Sequence, residues 1–200
     1  MCRWLAYSGT PMLLDTILYK PAHSLIDQSL HSKLGVETTN GDGFGVGWYS
    51  EDSSTPALLR DVGPAWNNRN LREVADHVRS PLFFAHIRAS TGTAVQQSNC
   101  HPFRHGRWMF IAISDGVRVW AFRYSSGHDS RSLFYSSRVD ALRRLHPDMA
   151  FLRDISEETR LIVSEPLGDL PGAWNEVPES SYGVVQPGAD ELHPFTPAPA

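Results

Sequence analysis

The chain opens on Arg3-Trp4-Leu5-Ala6-Tyr7-Ser8-Gly9, an apolar and aromatic run that closes at a glycine and predicts a strand beginning at the terminus itself. Residues 13–19 and 23–31 read as short helices separated by Pro21, which ends the first, while Gly35 closes the second. Residues 43–50 and 57–61 read as strands. Leu71, Val74, Ala75 and Val78 fall at i, i+3, i+4 and i+7, the spacing of a helix with one buried face. Residues 81–87 form a continuous apolar run, a buried strand leading into Arg88. Residues 89–106 are rich in Ser, Thr, Gly and Asn and predict a long loop of the kind that carries function. Apolar runs over 107–113 and 117–124 flank Ser114-Asp115-Gly116, the strongest hairpin signal in the chain. Strands over 132–136 and 159–163 and a helix over 138–145 follow. From Gly188 the apolar content falls and prolines gather, so this tail is expected on the surface or disordered. Strands dominate and helices come in groups, which predicts an α+β fold: one domain over 1–195 and a flexible tail over 196–200.

Composition narrows the function classes. Two hundred residues, 41% of them hydrophobic, suffice for one real core, and no apolar run is long enough to span a bilayer. Residues 1–20 lack a cationic opening followed by an apolar stretch, so they do not read as a signal peptide, and the cytoplasm is the expected compartment. The two cysteines, Cys2 and Cys100, are then expected to be free thiols. A net charge of −4 without a basic cluster argues against a nucleic-acid partner, and nothing points to a membrane.

Cys2 carries the sharpest chemistry. Once Met1 is removed, one residue holds a thiol and a free α-amine, and roughly a tenth of such amines is unprotonated at neutral pH and able to take the thiol proton. Asn40-Gly41-Asp42-Gly43-Phe44-Gly45-Val46-Gly47 strips one face of a strand, so that either a ligand or a neighbouring backbone can come close. It lacks the spacing of a dinucleotide fingerprint. Arg88, at the end of an apolar strand, could hold a carboxylate with its guanidinium fork or lie as an ordinary surface arginine. His101 and His105 have no third partner at regular spacing, so no metal is expected, and no Gly-x-Ser-x-Gly elbow supports a serine hydrolase.

Met1-Cys2, Gly41-Asp42-Gly43-Phe44-Gly45, Ala85-His86-Ile87-Arg88 and Asn99-Cys100-His101-Pro102-Phe103 stand in the order found in one family. The chain resembles class II glutamine amidotransferase domains of the N-terminal nucleophile hydrolase fold, most of all the stand-alone γ-glutamyl hydrolases of ergothioneine biosynthesis. The resemblance covers residues 1 to 110, the hairpin, and the stretch from Val163-Ser164-Glu165-Pro166-Leu167 to Val184. It implies an αββα sandwich, two stacked sheets between helical layers. It also implies that Cys2 attacks a γ-glutamyl amide with its own α-amine as base, that Arg88 and Thr91 hold the substrate carboxylate, and that Asp42 and Gly43 line the pocket. No cofactor is implied, and the partner is a small γ-glutamyl molecule.

One departure accompanies the resemblance. The family's His-Asn-Gly turn, which supplies the oxyanion hole, is absent: Trp108-Met109-Phe110 passes straight into Ile111-Ala112-Ile113-Ser114-Asp115-Gly116. The middle of the domain, including an acid that binds the substrate ammonium, is missing and the sandwich is incomplete. Losing one oxyanion donor costs about a hundred- to a thousand-fold in rate. The missing helices are also expected to leave apolar surface bare, lowering stability or driving self-association. Three readings follow: a γ-glutamyl amidohydrolase, a shortened non-catalytic homologue with a binding role, and a glutaminase subunit that feeds ammonia to a separate synthase.

Overall fold

The computed structural model describes residues 2–34, 38–90 and 92–198. Its elements in chain order are β1 Arg3–Leu13, α1 Leu14–Leu18, α2 Leu25–His31, β2 Phe44–Ser50, β3 Ser53–Asp61, α3 Arg69–His77, β4 Arg79–Ile87, β5 Phe103–His105, β6 Trp108–Phe110, β7 Ile113–Ser114, β8 Val119–Arg123, β9 Phe134–Ser136, α4 Val139–Leu145, β10 Arg160–Val163, β11 Trp174–Glu176, β12 Ser181–Val185 and β13 Glu191–Pro194. They build a seven-stranded sheet ordered β11-β9-β10-β1-β4-β2-β3 and a six-stranded sheet ordered β13-β12-β8-β7-β6-β5.

Alternation along the strands separates two cores. Leu5, Tyr7, Phe83, Ala85, Ile87 and Val163 point to one side of the larger sheet, where they meet Leu14, Ile17, Leu18 and Leu25 of the first two helices, Leu71 and Ala75 of α3, and Val139 and Leu142 of α4. Their neighbours Ala6, Leu82, Phe84 and Ile162 point the other way, onto Met109, Val119, Ala121 and Val185 of the smaller sheet. A period of two therefore feeds both cores from the same strands. The α+β class and the stacked sheets match expectation. All four α-helices of the described residues cover the larger sheet, so the order is helix, sheet, sheet, and the outer face of the smaller sheet carries no helix.

Differences from the sequence reading are local and have physical reasons. The first strand runs past Gly9 to Leu13, with a register shift between Ser8 and Met12 that absorbs the glycine, and this shortens α1 to five residues. Residues 53–56 extend β3 as the continuation of a hairpin with β2. The 89–106 loop contains a 3-10 turn over Gln97–Asn99 and the strand β5. The run over 107–113 is two strands rather than one, because the chain turns at Ile111 and Ala112 and Phe110 pairs with Ile113. Asp115 holds the following hairpin loop, its Oδ1 accepting from the N–H groups of Val117 and Arg118. The stretch after Gly188 lies on the surface, but 191–194 form an ordered edge strand on β12. Gly35, expected to end α2, lies outside the described residues.

Candidate active site

The antiparallel pairing of β1 with β4 sets Arg3 opposite Ile87, which brings Cys2 alongside the chain that leaves β4. The half-buried Cys2 thiol donates to the Ala89 carbonyl at 3.5 Å, and the Ala89 N–H points back at the sulfur at 3.5 Å. Both contacts are long, so they aim the thiol without consuming it. Cys2 and Cys100 are both free.

Arg88 is 4% exposed. Its backbone N–H donates to Gly43 and its carbonyl accepts from Asp42, extending the pairing of β2 with β4 by one step. Its Nη1 donates to the Asp42 carbonyl at 3.1 Å. Its Nη2 donates to Ser90 Oγ at 3.3 Å, Thr93 Oγ1 at 2.8 Å and the Ala94 carbonyl at 2.9 Å. The fork is thus neither an ordinary surface arginine nor open: loop oxygens occupy the places that a carboxylate would take. Asp42 fixes this loop through the Ser90 N–H at 2.7 Å. Of the expected site residues, Cys2, Asp42, Gly43 and Arg88 gather at adjoining strand ends, and Thr91 lies outside the described residues.

The alternate glycines face protein rather than an open pocket. A Cβ on Gly43 would sit 2.6 Å from Cys100 Sγ, one on Gly45 would sit 2.1 Å from the His101 carbonyl oxygen, and one on Gly47 would sit 2.5 Å from Met109 Sδ. The stripped face of β2 is the seat of the 100–109 segment. Gly43 also has φ +117°, a conformation that side chains rarely adopt.

Behind this seat, the rings of His86 and His101 meet edge-on at 5.0 Å. Burial, aided by the His101 ring and the Arg88 charge, pushes His86 down to about 3, so it is neutral at physiological pH. Burial, with Arg60 and Arg88, lowers His101 as well. The Nδ1 atoms of both are buried with no hydrogen-bond partner among the described residues. The half-buried His101 thus packs against Gly45 and His86, and the described residues contain no cluster of three or more metal-ligating side chains.

Sequence reasoning missed the buried network that anchors the start of β1. Arg3, 1% exposed, donates from Nε to Glu165 Oε2 at 2.6 Å and from Nη1 to the Cys2 carbonyl at 3.1 Å. Glu165 also accepts from the N–H groups of Lys33 at 2.8 Å and Leu34 at 3.1 Å, and shares a 2.5 Å contact with His23 Nε2, whose Nδ1 is 2.8 Å from Asp27. The signal was an arginine at the start of an otherwise apolar strand, but its carboxylate lies 162 residues away. Burial alone would raise the Glu165 carboxyl; the His23 ring, the Lys33 and Leu34 amides and Arg3 together hold it below its usual value of 4.5. A depressed carboxylate contributes stability above the unfolded value and loses it as pH falls through the folded value. Glu165→Gln is expected to cost about 3 kcal/mol at pH 7, because it breaks a buried ion pair and removes the charge that Arg3 and His23 share. In denaturant titrations at stepped pH, the gap to wild type should narrow as pH falls below 4.5 and close once it has passed the lowered native value, where the folded carboxylate itself takes up a proton. A gap independent of pH would assign Glu165 a packing role only.

Residues 13–113 match the model of the class-II glutamine amidotransferases. The chain is 43% identical over 119 residues to a probable glutamine amidotransferase of Saccharomyces cerevisiae, DUG3, an alignment covering 56% of this chain and 33% of that protein. The chain thus spans about a third of the length of that relative. It is 26% identical over 215 residues to the γ-glutamyl-hercynylcysteine sulfoxide hydrolase of Mycolicibacterium smegmatis, covering 90% of this chain and 93% of that one. Those 215 aligned positions exceed the part of this chain they cover, so the alignment crosses positions for which this chain has no residue. A solved class-II glutamine aminotransferase domain protein from Silicibacter pomeroyi shares the fold with a TM-score of 0.65 at 24% identity, over 98% of this chain and all of that one.

Proposed function

The chain belongs to the class II glutamine amidotransferases, and from that membership we propose that it hydrolyses a γ-glutamyl amide bond in the cytoplasm with Cys2 as nucleophile, its substrate being γ-glutamyl-hercynylcysteine sulfoxide. The observation that carries this reading is the Cys2 thiol, half-buried at the start of β1 and aimed along the strand end that bears Arg88. Similarity to the Mycolicibacterium hydrolase across nine-tenths of the chain supports the choice of substrate.

In this mechanism Met1 is first removed. The freed α-amine of Cys2 takes the thiol proton, and the thiolate adds to the γ-carbonyl carbon. The ammonium so formed protonates the departing amine as the carbon–nitrogen bond breaks, leaving a γ-glutamyl thioester. Water, deprotonated by the same amine, then releases glutamate and restores the thiol. Arg88 holds the α-carboxylate together with Thr91, and Asp42 and Gly43 shape the pocket wall. Substrate binding exchanges the Arg88 contacts to Ser90, Thr93 and Ala94 for the carboxylate, so the loop after β4 opens as substrate enters. The sequence holds no His-Asn-Gly, and the two-residue turn at Ile111 and Ala112 stands after β6 instead. Turnover is therefore slower than in a relative with an intact hole, by about a hundred- to a thousand-fold for each donor lost.

The engaged Arg88 and the missing oxyanion donors favour a second reading, a non-catalytic homologue that binds a ligand or partner. Glutamate release separates the two. With γ-glutamyl-hercynylcysteine sulfoxide, the hydrolase reading expects release above a Cys2→Ala control; release equal to that control at every substrate concentration establishes the binding role. Preference for free glutamine, rising when a synthase is added, would instead mark an ammonia-supplying subunit.

A further inference from the structure

Cys2 lies one step before the first pairs that hold β1. The ladder with β10 begins at Leu5 and the ladder with β4 at Arg3. On the β10 edge, Trp4 turns both of its backbone groups to Ser164: its N–H donates to the Ser164 hydroxyl at 2.9 Å, and its carbonyl accepts from the Ser164 N–H at 3.0 Å. Backbone groups two residues apart in a strand share an edge, so the Cys2 carbonyl faces the same side, beyond Val163, the last residue of β10. There a side chain supplies the donor. Arg3 Nη1 reaches the Cys2 carbonyl at 3.1 Å, while Nε of the same guanidinium is held by Glu165 at 2.6 Å and Nη2 by the Ser32 hydroxyl.

Two holds on one residue place a third group. The Cys2 thiol sits between the carbonyl and the N–H of Ala89, each at 3.5 Å, and the Cys2 carbonyl is held by Arg3. With sulfur and carbonyl both placed, the tetrahedral Cα leaves the α-amine one direction. Once Met1 is gone, that amine has no peptide bond of its own, and its distance from the sulfur depends on these two anchors. Ser164 and Glu165 are adjacent, so one short segment clamps the backbone of Trp4 directly and that of Cys2 through Arg3.

We propose that Arg3 is a positioning residue for the nucleophile: locked by Glu165, it fixes the Cys2 carbonyl and so sets the α-amine against the thiol. This inference rests on the proposed use of Cys2 with its own amine as base. Arg3→Lys tests it, because lysine keeps the charge facing Glu165 but cannot span Glu165, Ser32 and the Cys2 carbonyl at once. The other charged groups around this strand end, Arg88 from β4, Asp42 ahead of β2, and Glu165 with His23 behind it, stay as they are. The readout is peptide-resolved alkylation by iodoacetamide at stepped pH. Cys2 alkylation should slow at least about fivefold at pH 7, and the variant should rejoin wild type above about pH 9.5, where a thiol ionises without a base. The buried Cys100 should react no faster than before. An unchanged rate at pH 7, a change by one factor at every pH, which is altered access alone, or Cys100 quickening in step, which is general loosening, would overturn the proposal. If Arg3→Lys does not fold, Arg3→Met with Glu165→Gln, which strands no lone charge between the two, takes its place with the same expectations. Glutamate release measured alongside keeps the two readings apart: Arg3-dependent alkylation without release defeats the hydrolysis and leaves the positioning standing, and release with Arg3-independent alkylation does the reverse.

Discussion

Replacing Gly45 with alanine is expected to cost about 3 kcal/mol or more, lowering the melting temperature by roughly 6–12 °C for a chain of this size. The added Cβ would stand 2.1 Å from the His101 carbonyl oxygen and 3.0 Å from Arg60 Cγ. The first contact is between two backbones, so no rotamer relieves it: β2 or the 101–102 segment must move. Both are tied down, β2 by pairing on each side with β3 and β4, and the 101–102 segment by Cys100, whose thiol donates to the Asp61 carbonyl at 3.3 Å. Gly168→Ala is the matched control, since its Cβ meets nothing within 4 Å and its backbone is unstrained. Calorimetry of the two variants should separate them widely. Equal melting temperatures would mean that the sheets do not meet along the glycine face.

That face shows how far the sequence could be read. Glycines at 43, 45 and 47 announce a stripped strand, because a period of two has only one meaning in a strand. What fills the space is a tertiary fact, and residues 100–109 arrive from the far end of a polar loop with no pattern of their own. Strands of two or three residues, such as β5 and β7, are too short to carry a period, so the hairpin at Ile111 and Ala112 stayed hidden within an apolar run. The edge strand β13 ends on Pro194, a breaking signal, and exists because β12 offers it a ladder. Arg88 was legible as the charged end of a buried strand. Its engagement by Ser90, Thr93 and Ala94 was not, because it depends on the path the loop takes back over its own strand end. The Arg3–Glu165 pair joins residues 162 positions apart and leaves no local trace.

The second large effect concerns Cys2. Cys2→Ala is expected to bring glutamate release down to the uncatalysed background, because both the thioester and the base's proton donor are lost with the sulfur. Stability should change little, within about 0.5 kcal/mol, since the thiol is half-buried and its contacts to Ala89 are at 3.5 Å. Cys100→Ala should do the reverse. That side chain is fully buried against Gly43, and burial pushes its thiol up, with the Arg88 and Arg60 charges only partly offsetting this, so it stays protonated and unreactive at neutral pH. Its loss should cost about 1–2 kcal/mol and leave the chemistry in place. The two variants together separate a nucleophile from a core residue of the same type.

Incubation with an electrophilic glutamine analogue, followed by intact mass and a mapped digest, tests the central claim most directly. The account predicts a chain that has lost Met1 and carries one adduct, on the peptide that begins with Cys2, with Cys100 unmodified. A retained Met1, or an adduct absent from that peptide, would contradict it.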